Sequence, residues 1–244
     1  MTAPFLFEDL PRVALAVLVG GLVLRWLLLA RRPLAGNTAA PAPDWRRFGR
    51  VGGLALALVV LAHLVALVAP QALAVITRSR LRLYLLEGGG YLVGLVAALA
   101  WGRAMVRHLR TEGPTLAGVA DSALLALVAV ALVSGLVTAV LYRWASLWGA
   151  ATLTPYVRSL GRSRPLGVLA APMPFSVQVH LVSTFAALAV FPFSRLAAVL
   201  IVPLHRAAGL LLTGLGWPLK ALARAARPWL ARHNPAAWIW PEEE

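Results

Sequence analysis

Five stretches of this chain are apolar over roughly the 20 residues that one helical crossing of a bilayer requires. They run over about Arg12–Ala30, Val51–Ala69, Leu83–Gly102, Val119–Leu141 and Phe175–Val202. In hydrocarbon every backbone N–H and C=O must find its partner within the chain, so such stretches fold as helices. The expected fold class is an all-α membrane protein, a bundle of five transmembrane helices. An apolar content of 60% and a mean hydropathy of +0.79 lie outside the range of soluble chains and agree with that class. Residues 1–204 are expected to form the membrane domain, and 205–244 an interfacial or cytoplasmic tail.

An odd number of crossings places the termini on opposite faces. The segments 31–50, 103–118 and 195–244 together hold nearly twice as many Lys and Arg as the alternate connections. The positive-inside bias therefore predicts an outer N-terminus and a cytoplasmic C-terminus. Glu8 and Asp9 precede the first span, and Arg31 and Arg32 follow it, a pattern expected of an uncleaved anchor rather than a signal peptide. The basic residues, 23 against 9 acidic, sit between the apolar runs, where lipid and topology explain them, so no nucleic-acid partner is expected. With no cysteine, the chain can form no disulfide and hold no iron–sulfur cluster of its own. The connection 36–44 reads as a Pro/Ala-rich inner loop, and the longer outer connection 143–174 predicts a short helix near Tyr156–Leu160, fit for a lid. In the tail, 218–233 carries Lys220, Arg224 and Arg227 on one helical face, as an interfacial helix would. PAAWIWP reads as a headgroup anchor and the closing EEE as a solvated end. No internal repeat points to an inverted-repeat transporter.

Only two of the five histidines, His63 and His180, fall inside expected spans; His108, His205 and His233 fall at or beyond span ends. His63 should lie about 10 Å, and His180 roughly 8 Å, below the same outer face at 1.5 Å per residue. Neutral imidazoles from two helices at one depth are what a six-coordinate haem iron requires. Three other readings stay open. Each ring could bond a hydroxyl such as Ser183, the histidines could serve a transporter or channel, or the chain could be a haem-free anchor. Gly88, Gly89 and Gly90, after Glu87, would let a flat macrocycle or another helix approach closely. Arg78, Arg80 and Arg82, expected in the loop before the third span, could pair with haem propionates or a quinone, or simply snorkel. Asp121 reads as an N-cap or first-turn residue of the fourth helix. Arg195 is expected to reach inner headgroups or a haem-free pocket, and Arg25 to snorkel inward.

His180, ten residues and then FPFSRL (191–196), with LAHLVALVAP around His63, EGGG (87–90) and GVAD (118–121), resemble the gamma subunit of membrane-bound respiratory nitrate reductases, a b-type cytochrome. The resemblance spans roughly residues 5–205. It implies a multi-pass protein of a prokaryotic inner membrane, partnered by an iron–sulfur subunit and a molybdenum-type catalytic subunit. Such a subunit exchanges electrons with quinone through haem b. His63 and His180 match the family's outer haem ligands, while the inner pair falls at Gly53 and Ala198, which cannot ligate iron, so a single haem is implied. Arg80 corresponds to a basic residue of the family's quinol site. Glu87 would accept a quinol proton or pair with Arg80 or Arg82. Nitrate specificity is not implied, because the catalytic chemistry belongs to other subunits.

Overall fold

The computed structural model describes residues 4–30, 49–111, 116–142, 149–162, 166–198 and, beyond these, 200–202, 204, 205, 207, 208 and 211. Among the described residues there is no strand. After a π-helical turn at Phe5–Asp9 come α1 (Leu10–Ala30), α2 (Gly49–Val68), α3 (Pro70–Ile76), α4 (Arg80–Thr111), α5 (Leu116–Leu141), α6 (Thr154–Ser159) and α7 (Phe175–Val190). Five helices, beginning at Phe5, Gly49, Arg80, Gly118 and Phe175, are long and apolar enough to cross a membrane, as expected. Two units divide the chain, Met1–Val199 and Leu200–Glu244. The loop 36–44, the amphipathic stretch 218–233, PAAWIWP and the acidic end lie outside the described residues.

Three boundaries differ from expectation. The connection 70–82 holds α3, which Pro70 starts because a first-turn residue needs no N–H. Arg80 and Arg82 consequently lie in the first turn of α4 and not in a loop. At its other end α4 continues past Gly102 to Thr111. There Arg103, Arg107 and Arg110 lower the hydropathy but stay exposed, while Ala97, Ala100, Trp101, Ala104 and His108 recur at helical spacing and are buried. The fifth span does not run unbroken to Val202. It leaves helical geometry in a 3₁₀ turn at Phe191–Phe193, and Ser194 is extended, with ψ of 157°.

That break is built in. Arg25 of α1 donates to the carbonyls of Pro192 (2.8 Å) and Ser194, and Gly21, one turn earlier, makes room for the proline ring. A Cβ on Gly21 would stand 2.6 Å from Pro192 Cβ. Arg25 thus binds carbonyls within the protein instead of snorkelling. Asp121, in the second turn of α5, accepts the Arg195 backbone N–H at 2.8 Å and the guanidinium at 2.5 Å. Asp121 is therefore no N-cap, and Arg195 is turned to a carboxylate rather than to headgroups.

The helices pack as α5 with α7 and α4, α2 with α4, and α1 with α7. α2 and α7, which carry the two histidines, do not pack extensively on each other. At the end of the bundle nearest the histidines the expected short helix exists as α6 and clasps the C-terminus of α2. Thr154 donates to the Ala66 carbonyl (3.0 Å), and Arg158 donates to those of Leu67 (2.7 and 3.1 Å) and Val68 (3.0 Å). These are orphan acceptors of a helix end, a place that also favours a cation. Tyr156, wholly buried among Phe7, Ala14, Leu160 and Phe185, donates its hydroxyl to the Phe7 carbonyl at 2.8 Å. Burial, with the Glu8 carboxylate adding to it, pushes its phenol well above the ordinary value.

Candidate functional site: a facing pair of histidines

His63 is the sixth residue from the end of α2 and His180 the sixth residue of α7. Antiparallel crossing brings them to one depth. Their ring centroids stand 5.9 Å apart with 27° between the planes.

Hydrogen bonding fixes the chemistry of each ring. His63 Nδ1 lies 2.7 Å from the carbonyl of Val59, one turn back on its own helix, and His180 Nδ1 lies 2.8 Å from the Ala131 carbonyl on α5. A carbonyl can only accept, so each Nδ1 carries the proton and each Nε2 the lone pair. A carbonyl-held Nδ1–H is the usual outer support of a metal-bound histidine. Ser183, expected as a partner for the ring, bonds the backbone carbonyls of Val179 (2.7 Å) and His180 (3.2 Å) instead.

The spacing suits one metal between the rings. Two metal–nitrogen bonds of about 2 Å, plus about 1 Å from each nitrogen to its ring centre, separate the centroids by about 6 Å. A closed zinc site would need four protein ligands. Among the described residues no group of three or more His, Asp or Glu converges. A porphyrin, which brings four nitrogens of its own, fits a two-histidine site.

Arg80, Arg82, Glu87, Gly88 and Gly89 occupy the first three turns of α4, at the histidine end by chain direction. Gly88, Gly89 and Gly90 are exposed, and a Cβ on any of them would meet nothing within 4 Å, so helix packing does not demand them. His108 lies within α4, not past its end, and is buried. Its Nε2 is 2.9 Å from Ser122 Oγ, whose own proton goes to the Gly118 carbonyl at 2.8 Å, so this Nε2 acts as a donor.

Two residues of the site carried no sequence signal strong enough to select them. Ala131 contributes only its carbonyl, and Gly135 contributes the absence of a side chain: a Cβ there would stand 3.2 Å from both Cε1 and Nδ1 of His180. A glycine within an apolar helix at the depth of His180 was the available clue.

The profile of the nitrate reductase gamma subunit family matches residues 3–208. The chain belongs to that family. Its members are membrane-bound b-type cytochrome subunits of respiratory nitrate reductases, which work in complexes with catalytic and iron–sulfur subunits. No characterised protein matches the chain in a sequence comparison. The matched residues take in all five candidate crossings and the FPFSRL segment, whose turn Arg25 and Asp121 hold.

Proposed function

We propose that the chain is the haem b subunit of a respiratory oxidoreductase complex in a prokaryotic cytoplasmic membrane. In this reading His63 and His180 are the two axial ligands of a single haem. The observation that supports it is the pair of rings 5.9 Å apart with both Nδ1–H groups held by carbonyls, which leaves the Nε2 lone pairs for coordination. When bound, the haem supplies a one-electron carrier whose potential follows from bis-imidazole ligation and a mostly apolar surround. The chain's own residues orient the ligands and keep the gap between α2 and α7.

A single haem is supported by the opposite end of the bundle. The family's second ligand pair would fall at Gly53 and Ala198, neither of which can ligate iron; α2 closes on α4 at the neighbouring Gly52, where a Cβ would stand 2.2 Å from Ala100 Cβ, while a Cβ on Gly53 itself would meet nothing within 4 Å. Trp101, 4% exposed, packs there with Leu56, Leu125 and Leu196 and donates its indole N–H to the Leu125 carbonyl at 2.8 Å. Quinone exchange is assigned to the first turns of α4. Arg80 and Arg82 offer guanidinium donors to a quinone oxygen or a propionate, Gly88 and Gly89 leave a flat surface, and half-buried Glu87 is the candidate proton acceptor. From His63 to the start of α2 is about 20 Å along the helix, a long tunnelling step without an intermediate carrier. The iron–sulfur partner, with a molybdenum-type catalytic subunit behind it, therefore docks at the histidine end, which the charge bias assigns to the outer face.

An absorption spectrum of the purified protein tests the haem. A reduced b-type band is expected, lost in His63→Ala and in His180→Ala and retained in His108→Ala. Retention in either of the first two would break the ligand assignment, and absence of any band would return the chain to a haem-free anchor or a transporter. Electron cryomicroscopy of the complex tests the docking side: an iron–sulfur subunit at the far end with no bridging cofactor would refute it.

A further inference from the structure

The two rings are supported differently. His63 is held within its own helix, whereas His180 is held by a neighbour, α5. We propose that Gly135 and the Ala131 carbonyl form a seat that sets both the orientation and the basicity of His180, with Ser134 moderating its strength. The effect on potential rests on the haem reading above; the seat itself does not.

Glycine is disfavoured inside a helix, yet Gly135 stands within α5, six residues before its end, where any Cβ would lie 3.2 Å from Cε1 and Nδ1 of His180, closer than side chains ordinarily tolerate. Its absence lets the ring lie against the helix, with Nδ1 2.8 Å from the Ala131 oxygen. That oxygen also accepts the Ser134 hydroxyl at 3.0 Å, which the Val130 carbonyl shares at 2.7 Å. An oxygen that accepts an additional proton donor draws less strongly on Nδ1–H. A stronger pull makes the ligand more imidazolate-like, favours ferric iron and lowers the midpoint potential.

Two adjacent substitutions should therefore move the potential in opposite directions. In Gly135→Ala the ring must shift by a few tenths of an ångström, the Nδ1–H bond weakens, and the ferrous form gains about tenfold at fixed ambient potential, 59 mV for one electron. Ser134→Ala frees the carbonyl and shifts the ratio toward ferric by less. Gly94→Ala is the matched control, since its Cβ would meet Leu136 Cδ2, also at 3.2 Å, without touching a histidine; it should leave the potential unchanged. Loss of the haem band in Gly135→Ala but not in Gly94→Ala would also support the seat. An unchanged potential and low-spin electron paramagnetic resonance signature in Gly135→Ala, or an equal shift in Gly94→Ala, would overturn it. If the wild type binds no haem, the haem reading fails by itself, and histidine ¹⁵N shifts still read the seat. Protonated Nδ1 on His180 in the wild type with mixed tautomers in Gly135→Ala supports it, and the same tautomer in both overturns it.

Discussion

The histidine end and the far end of the bundle are built on opposite principles. At the far end side chains fill the space between helices: Gly52 lets α2 close on Ala100, Trp101 packs beside it, Arg25 takes the carbonyls of the broken fifth span, and Asp121 holds Arg195. At the histidine end α2 and α7 stay apart, and the elements that hold them lie at the edge, in α6 and the Phe5–Asp9 turn. On the proposed haem reading, a bundle that admits a large flat group gains no stability from contacts across that gap. It recovers stability from the opposite end and from a peripheral clasp.

The comparison breaks if disturbing the closed end disturbs the open one. Trp101→Ala carries the largest expected effect, a loss of about 3–5 kcal/mol for an aromatic removed from a packed core, read as a lower unfolding temperature in detergent. The haem band and midpoint of the protein that remains folded should not move, because the cavity opens at the other end. Asp121→Ala comes next. It removes the carboxylate that the Arg195 guanidinium and backbone N–H share, but the Arg195 side chain is 37% exposed, so the cost of breaking a buried pair is discounted to about 2 kcal/mol. Asp121→Asn keeps an acceptor for the backbone N–H and should lose less than half as much. A changed haem potential in any of these variants would show that the two ends are coupled.

What could be read from sequence follows from what each signal measures. Hydropathy located all five crossings, because apolar length is the property a bilayer selects. It ended α4 too early because Arg103, Arg107 and Arg110 cover one face while Trp101 and His108 continue a buried stripe on another, and an average over residues cannot separate faces. It also carried the fifth helix through Phe191–Ser194, where Pro192 marked a break but the tertiary partner that stabilises it, Arg25, lies 167 residues away. The histidine pair was legible from helix rise alone, since depth is a one-dimensional quantity. Its supports were not: Ala131 acts through backbone, and Gly135 through a missing atom, and neither is visible until two helices are placed side by side.

Smaller effects should sharpen the account of the clasp. Arg158→Ala removes donors to the Leu67 and Val68 carbonyls and should cost about 1.5 kcal/mol, as charged hydrogen bonds partly exposed to water do. Because those carbonyls end the helix that carries His63, haem should also dissociate faster, an effect that Trp101→Ala should lack. Equal dissociation rates in the two variants would remove the distinction between clasp and core.

Tyr156→Phe is the mildest test, about 1 kcal/mol for one neutral hydrogen bond to the Phe7 carbonyl, and it has a pH signature. Burial raises the phenol in the folded protein, so the folded state keeps its proton after the unfolded chain has begun to lose it near the ordinary value of about 10. Above that pH the unfolded state binds fewer protons, and stability must fall as pH rises. The wild type should therefore lose unfolding temperature between about pH 9 and 11 more steeply than Tyr156→Phe, while the two differ by a constant at neutral pH. Parallel curves across that window would mean that Tyr156 is reached by water and that the Phe5–Asp9 turn is held by something other than the α6 clasp.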